Sequence, residues 1–315
     1  MLVVEMALAF GLTFLISLLL IRFAPMFQVS IKAELESTHG MKRGTPSVGG
    51  LAFVMGSALS TLIFASRFDL GVLLPLVALV LFAAVGLVDD LAKARRTDGD
   101  GISSLSKLAL QALAGSLLLF ILQGNKALTT TVMAPFLKEG GLTLGGAYYL
   151  FALLYILYFV NAVNITDGLD ALAAGSSMPL LLLLAFFSYR AGRSFSPALI
   201  GAILAFLLFN RKPARYFMGD CGSHALGGYI AVSALMLKAE TVILVASGLF
   251  LMEFATSLIQ IIAIRSTGRK VFSIAPLHHA FELKGVAERT IVGRFTLASW
   301  IFASLGLLLF LGTGW

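Results

Sequence analysis

Asn161-Ala162-Val163-Asn164-Ile165-Thr166-Asp167-Gly168-Leu169-Asp170 lies between two long apolar runs of the chain. The first run extends from Tyr148 to Val160, and the second extends from Ala171 to Phe187. Two amides and two carboxylates therefore fall where hydrocarbon gives way to water. Asp167 and Asp170 are three residues apart, so a helix through this stretch would carry both carboxylates on one face. The stretch is either a polar cap between two membrane spans or part of a site, and the placement of the other acids favours a site.

The composition is that of a polytopic membrane protein. Of 315 residues, 59% are hydrophobic and 12% are charged, whereas a soluble domain carries roughly 25% charged residues. We therefore expect a single all-α transmembrane domain over residues 1–315. The only cysteine, Cys221, excludes an intramolecular disulfide and a CxxC metal site. The net charge of +7 is not accompanied by a basic run or a stacking motif, so nucleic acid is not an expected partner.

Hydropathy predicts about ten transmembrane helices, because each span needs about 20 mostly apolar residues. The first apolar run lacks a basic leader and a cleavage site, so we expect a retained span. The predicted spans are 2–22, 48–66, 70–88, 105–123, 146–163, 169–189, 196–209, 222–238, 241–264 and 294–312.

Lysine and arginine predict the orientation of these spans. With the N-terminus outside, 17 of the 23 basic residues fall on the inner side and six on the outer side. The positive-inside rule therefore predicts that both termini lie outside. Between the fourth and fifth spans, 129–136 and 141–144 predict a small outer β-hairpin.

The polar residues that are candidates for a functional role lie on the predicted inner side. They are Asp89, Asp90, Asp98, Asp100, Asn164, Asp167, Asp170, Asn210, Asp220, His278, His279 and Glu282. A transporter would place such groups at mid-bilayer in repeated halves, and the sequence shows no internal repeat. A site at the cytoplasmic face is the simpler interpretation.

Two motifs contain candidate phosphate-binding groups. KRGTPSVGG, from Lys42 to Gly50, combines glycines and hydroxyls with two cations, and a turn with snorkelling cations is the alternative. Asp89 and Asp90 end the third predicted span, where carboxylates oppose the helix dipole. That placement favours a functional role for the two carboxylates over a solvated helix end. Lys107, at the start of the fourth predicted span, is positioned to face the same site.

Asp220 is the candidate metal ligand. It lies in Phe217-Met218-Gly219-Asp220-Cys221-Gly222-Ser223, where a carboxylate flanked by glycine opens the eighth span. Oxygen ligands without paired cysteine or histidine favour Mg²⁺ or Mn²⁺ over zinc. The alternative role for Asp220 is that of a helix N-cap.

Two further groups lie near the last inner loop. His278 and His279 are adjacent without a third soft ligand nearby, so hydrogen bonding to phosphate or sugar is favoured over zinc binding. Glu253 is the only acid deep in a predicted span, which indicates either function or pairing with a serine or asparagine of a neighbouring helix.

Six motifs in order resemble the polyprenyl-phosphate N-acetylhexosamine-1-phosphate transferase superfamily. They are GTPSVGG (44–50), Asp89-Asp90, NAVNITDGLD (161–170), Phe209-Asn210, FMGD (217–220) and PLHHAFELKG (276–285). The last motif is similar to the peptidoglycan branch, the phospho-N-acetylmuramoyl-pentapeptide transferases. The chain departs from that branch at Ala280, which replaces a third histidine, and at Cys221, which replaces a threonine.

The resemblance implies an Mg²⁺-dependent homodimer of ten-helix subunits in the bacterial plasma membrane, open to the family's nucleoside natural-product inhibitors. The implied donor is UDP-MurNAc-pentapeptide and the implied acceptor is undecaprenyl phosphate, with lipid I and UMP as products. Use of UDP-GlcNAc is the alternative within the superfamily.

The resemblance also implies roles for individual residues. Asp220 would hold the metal, while Asp89 and Asp90 would position or deprotonate the lipid phosphate. Deprotonation is not strictly required, because the second pKa of a phosphate is about 6, and a covalent aspartyl-phosphate is the less favoured route. The implied substrate contacts are Lys42, Ser47, Lys107, Asn164, Asp167, Asp170, Asn210, Phe217, Gly219, Gln260, His278 and His279, with Phe217 available to stack on uracil.

Overall fold

The computed structural model describes residues 2–23, 45–64, 69–95, 101–125, 128–134, 141–193 and 195–312. Within these ranges the chain forms twelve helices and one small sheet. The helices are α1 (Leu2–Phe23), α2 (Gly49–Phe64), α3 (Leu70–Arg95), α4 (Ser104–Gly124), α5 (Ala147–Thr166), α6 (Leu172–Arg190), α7 (Ala198–Asn210), α8 (Gly219–Leu237), α9 (Glu240–Ala246), α10 (Gly248–Thr267), α11 (Leu277–Leu283) and α12 (Glu288–Leu311).

Among the described helices, seven are long and apolar enough to cross a membrane. They are α1, α3, α4, α5, α6, α10 and α12. Helices α2 and α7 are apolar but shorter, and α8 is a 19-residue helix that is buried throughout 220–236. Every predicted span therefore contains a helix, and the prediction of an all-α polytopic membrane protein is confirmed.

The predicted hairpin between the fourth and fifth spans is present as a two-stranded antiparallel sheet. Strand β1 (Thr131–Met133) pairs with strand β2 (Gly141–Thr143), and Thr131 lies opposite Thr143. The strands are shorter than the sequence predicted.

The ninth predicted span, 241–264, is two helices rather than one. Helix α9 ends and α10 begins at Ser247, whose hydroxyl donates to the carbonyl of Leu244 at 2.8 Å. A Cβ on Gly248 would lie 2.3 Å from the Phe302 ring, so the break brings the α10 backbone against α12. Hydropathy misses the break because both helices are apolar.

Helix α8 occupies the centre of the bundle and carries Asp220 in its first turn. A Cβ on Gly86 of α3 would lie only 2.0 Å from the carbonyl oxygen of Asp220. A small residue at this point therefore lets two helix backbones touch, as is common in membrane bundles. The contact places the start of α8 beside the polar end of α3.

Candidate active site

Asp89 lies fully buried near the end of α3. Its Oδ1 accepts the backbone N–H of Ile102 at 2.8 Å, and its Oδ2 lies 2.7 Å from Lys93 Nζ and 2.8 Å from Lys107 Nζ. Burial of a carboxylate is costly unless it is paired and hydrogen-bonded, and here it is both. A solvated helix end is therefore the wrong interpretation of Asp89.

Two lysines connect Asp89 to Asp220 of α8. Lys93 Nζ lies 2.9 Å from Asp220 Oδ1, and Lys107 Nζ lies 2.6 Å from Asp220 Oδ2. Lys107 was predicted to lie at this site, whereas Lys93 was not. Helix α3 continues to Arg95, beyond the predicted end at 88, so Lys93 follows Asp89 by four positions on one helical face.

Asp90 organises the start of α8. Its Oδ1 accepts the N–H of Asp220 at 3.0 Å, and its Oδ2 accepts the N–H of Cys221 at 2.8 Å. These amides belong to the first turn of α8, which has no acceptor of its own for them. The N-cap position is Met218, so the alternative that made Asp220 the cap is wrong.

The segment 45–50 packs directly against the turn before α8. Gly49 and Gly50 donate their N–H groups to the carbonyls of Phe217 and Met218 at 2.8 and 2.9 Å, and the Phe217 N–H donates to Pro46. The N–H groups of Gly49 and Gly50 are therefore already hydrogen-bonded, and they do not form the phosphate-binding site that the sequence suggested for this motif. Lys42 lies outside the described residues.

Ser47 and Gly219 meet at the turn into α8. Gly219 has φ +71°, and a Cβ there would lie 2.5 Å from the Ser47 carbonyl and 2.8 Å from Asp90 Oδ2. Glycine is therefore required at position 219 on both conformational and steric grounds.

Two aromatic residues precede this turn. Phe217 is half-buried. Tyr216 is buried, which raises the pKa of its phenol, and its hydroxyl lies 2.8 Å from that of Ser17.

Asn164 reaches the same cluster from α5. Its Nδ2 donates to Asp220 Oδ1 at 3.1 Å and to Ser223 Oγ at 2.9 Å. Helix α5 ends at Thr166, and Asp167 is its C-cap. The stretch from Asn161 to Asp170 is therefore not one continuous helix, and Asp167 and Asp170 do not share a helical face, since the chain turns between them.

Asp170 and Asn210 hold that turn against the segment that follows α7. Asp170 Oδ2 accepts the N–H of Ala214 at 3.1 Å, and its own N–H donates to Glu288 Oε1 at 2.9 Å. Asn210 accepts the Ala171 N–H at 2.9 Å and donates to the Tyr216 carbonyl at 3.0 Å. A cleft of about 580 Å³ lies alongside, lined by Asp170, Ala171, Arg211, Lys212, Pro213, Glu288, Arg289, Val292 and Gly293.

His278 also packs against the turn after α5. A Cβ on Gly168 would lie 2.2 Å from His278 Nε2. The Nδ1 and the backbone N of His278 lie 3.0 and 3.2 Å from the two carboxylate oxygens of Glu253. Glu253 therefore pairs with a histidine, so the alternative of a serine or asparagine partner is wrong.

His279 and Gln260 lie in the same region but have different partners. His279 Nδ1 lies 2.6 Å from Glu282 Oε2, and both side chains are partly exposed. Gln260 Oε1 accepts the N–H groups of Val271 and Phe272, and its Nε2 donates to the Phe272 carbonyl. All three bonds of the Gln260 amide thus hold the loop after α10.

The cluster of acids is compatible with a magnesium ion. Within the described residues, no group of three or more His, Cys, Asp or Glu side chains is arranged around a single point. Mg²⁺ commonly uses one or two carboxylates together with substrate phosphates and water. The side chain of Asp220 is more exposed than that of Asp89 or Asp90, and its carboxylate is bound by Lys93, Lys107 and Asn164, so its oxygens suit this role.

Comparison with known proteins defines the class. The model of glycosyl transferase family 4 matches residues 72–238, which include the acid cluster, both lysines and α8. The chain therefore belongs to this family of glycosyl transferases.

Relatives define the branch. The chain is 35% identical to a phospho-N-acetylmuramoyl-pentapeptide-transferase from Oceanobacillus iheyensis, covering 99% of this chain and 98% of the relative. Proteins of the same name from Rickettsia akari and Oleidesulfovibrio alaskensis are 35% and 36% identical, covering 94% and 87% of this chain and 89% and 82% of those relatives. The chain belongs to the phospho-N-acetylmuramoyl-pentapeptide-transferase family, which confirms the resemblance carried by the six motifs.

Proposed function

We propose that this chain transfers phospho-MurNAc-pentapeptide from UDP-MurNAc-pentapeptide to undecaprenyl phosphate, giving lipid I and UMP. The observation that carries the proposal is the contact of Lys93 and Lys107 with both Asp89 and Asp220. It concentrates cations and carboxylates at one end of the membrane helices. Family membership over nearly the whole chain supports the same activity.

The reaction needs positioning and charge stabilisation more than covalent chemistry. A phosphate oxygen of the lipid forms a bond to the sugar-bearing phosphorus, and the bond from that phosphorus to the bridging oxygen breaks. UMP leaves with the bridging oxygen and the negative charge. Lys93 and Lys107 are placed to stabilise phosphate oxygens, and Mg²⁺ held by Asp220, with Mn²⁺ as the alternative, would neutralise further charge.

Asp89 and Asp90 would act by positioning. Asp89 is fully buried and anchors the two lysines, while both oxygens of Asp90 bind amides of α8. These bonds support direct attack by the lipid phosphate over a covalent aspartyl-phosphate. A dianionic phosphate above pH about 6 needs no base.

The donor side would be formed around the turn after α5. Asn164 precedes this turn and binds Asp220, and His278 packs against Gly168 within the turn. The proposed contacts to the uridine, phosphates and sugar also include Lys42, Ser47, Lys107, Asp167, Asp170, Asn210, Phe217, Gly219, Gln260 and His279.

A transfer assay with purified protein tests the donor. Radiolabelled UDP-MurNAc-pentapeptide and UDP-GlcNAc are compared with undecaprenyl phosphate as acceptor, with and without Mg²⁺. We expect lipid I from the muramoyl donor and little product from UDP-GlcNAc. Comparable or faster transfer of GlcNAc-1-phosphate would assign the chain to the other branch.

The proposal includes an orientation and an assembly: both termini outside, the site cytoplasmic, and a homodimer that nucleoside natural products inhibit. The basic residues support this orientation. In a Cys221→Ser background, Arg269→Cys and Leu142→Cys occupy exposed positions on opposite predicted sides. An impermeant maleimide added to whole cells should label only Leu142→Cys, and labelling of Arg269→Cys alone would reverse the orientation.

A further inference from the structure

His224 is a fully buried histidine that the proposed reaction does not use. It lies in α8, one turn beyond Asp220. Its Nδ1 lies 2.7 Å from the carbonyl oxygen of Asp220, and its Nε2 lies 2.8 Å from Nε2 of Gln111, which is also fully buried. Both ring nitrogens therefore have partners.

These two contacts define the tautomer. A carbonyl oxygen only accepts, so His224 Nδ1 must carry the hydrogen, and Nε2 of the neutral ring must accept. Gln111 consequently donates through its Nε2, which leaves its Oε1 to accept. Asn161 supplies that donor, since its Nδ2 lies 2.8 Å from Gln111 Oε1 and 2.8 Å from the carbonyl of Leu157.

Each member of this network lies one turn deeper than a member of the acid and lysine cluster on the same helix. Gln111 follows Lys107 by four positions on α4, and His224 follows Asp220 by four on α8. Asn161 precedes Asn164 by three positions on α5. Residues three or four apart share a helical face, so the network forms a second polar layer directly beneath the first.

We propose that Gln111, Asn161 and His224 are positioning residues that fix how α4, α5 and α8 meet, and thereby hold the Asp220 carboxylate in its metal-binding place. The inference rests on the proposed function, because it takes Asp220 as the metal ligand. Hydrogen bonds between helices of a membrane bundle add to apolar packing in holding the helices in one relative orientation. Some side chains orient a metal ligand through hydrogen bonds without binding the metal themselves. Their removal commonly changes metal affinity or activity by about 10- to 100-fold.

Direct Mn²⁺ binding tests the proposal without turnover. The full-length protein in detergent is titrated with Mn²⁺, and the free ion is measured by electron paramagnetic resonance. We expect His224→Leu and Gln111→Leu each to weaken Mn²⁺ binding by about 10-fold or more. The double variant should bind no more weakly than the worse single variant, because removing both partners leaves neither unpaired.

Ser177→Ala is the matched control. Ser177 is buried and donates to the carbonyl four residues earlier in its own helix, α6, at 2.7 Å, but it does not contact the acid cluster. We expect its Mn²⁺ affinity to equal that of the unaltered protein. Thermal unfolding of each variant identifies any loss of affinity that comes from misfolding, and Gln111→Leu leaves α8 itself unaltered if His224→Leu does not fold.

The outcomes separate the inference from the function it rests on. If Asp220→Asn weakens Mn²⁺ binding while folded His224→Leu and Gln111→Leu bind normally, the positioning role is wrong and the metal assignment stands. If Asp220→Asn itself binds Mn²⁺ normally, the metal assignment is wrong and the positioning role fails with it. Weakened binding in all three variants, without loss of thermal stability in the two leucine variants, supports both.

Discussion

Glu253 and His278, 25 positions apart in the chain, form a fully buried pair with Nδ1 of the histidine 3.0 Å from Oε2 of the glutamate. The other carboxylate oxygen accepts the backbone N–H of His278 at 3.2 Å. One side chain of α10 therefore determines both where α11 begins and how the imidazole is oriented against Gly168.

Glu253→Ala should destabilise the protein and reduce transfer, because it leaves two buried donors of His278 without an acceptor. An unsatisfied buried donor costs about 1–3 kcal/mol. Thermal unfolding and the transfer assay measure the two effects. Glu282→Ala is the matched control, since its pair with His279 is partly exposed and such pairs contribute about 0–1 kcal/mol. Equal losses in stability would contradict the role of burial.

Gly168→Ala should reduce transfer by at least about 10-fold, because the added Cβ would lie 2.2 Å from His278 Nε2 and must displace the ring or the turn. A displacement that costs 1.4 kcal/mol in the transition state corresponds to tenfold in rate. Gly11→Ala is the control, since nothing lies within 4 Å of its Cβ position in α1. That variant should retain activity and be as stable or more stable, as alanine favours a helix.

Lys93→Met should lower kcat by about 100- to 1000-fold, the loss expected on removing one preorganised group that stabilises transition-state charge. The unbranched side chain is kept apart from its terminal ammonium, so Asp89 and Asp220 lose a shared cation. Arg95→Met removes a charge from an exposed position two residues later and should have little effect. The kcat of both variants is measured by steady-state kinetics with the muramoyl donor. A normal kcat for Lys93→Met would exclude Lys93 from catalysis.

Asp220→Asn should abolish transfer while the protein remains folded, because the amide keeps the shape of the side chain and loses its charge. The bonds from Lys93, Lys107 and Asn164 all converge on this carboxylate. Asp69→Asn is a charge-matched control at the opposite end of α3, where Asp69 accepts the N–H of Gly71 and asparagine caps equally well. Substantial activity of Asp220→Asn at saturating Mg²⁺ would show that another residue holds the metal.

The class of fold and most residues of the candidate site could be predicted from the sequence. Ten apolar segments predicted membrane helices because the bilayer imposes their length, and all ten contain a helix. Lys107, Asn164 and Asp220 were recognised as a set because polar residues at the ends of apolar runs stand out. The family resemblance was likewise available from motif order alone.

Which polar groups contact one another could not be predicted from the sequence, because it depends on how the helices pack. In the sequence, Lys93 is one of several basic residues after the third predicted span. It reaches Asp89 because α3 continues past 88. Glu253 of α10 and His278 of α11 form their pair between two helices. His224 lies within an apolar run, and the sequence does not indicate its partners. Hydropathy reports the partition of each segment between lipid and water, whereas hydrogen bonds between helices depend on their rotation and depth. Those quantities are set by packing over the whole bundle, so no local pattern of residues contains them.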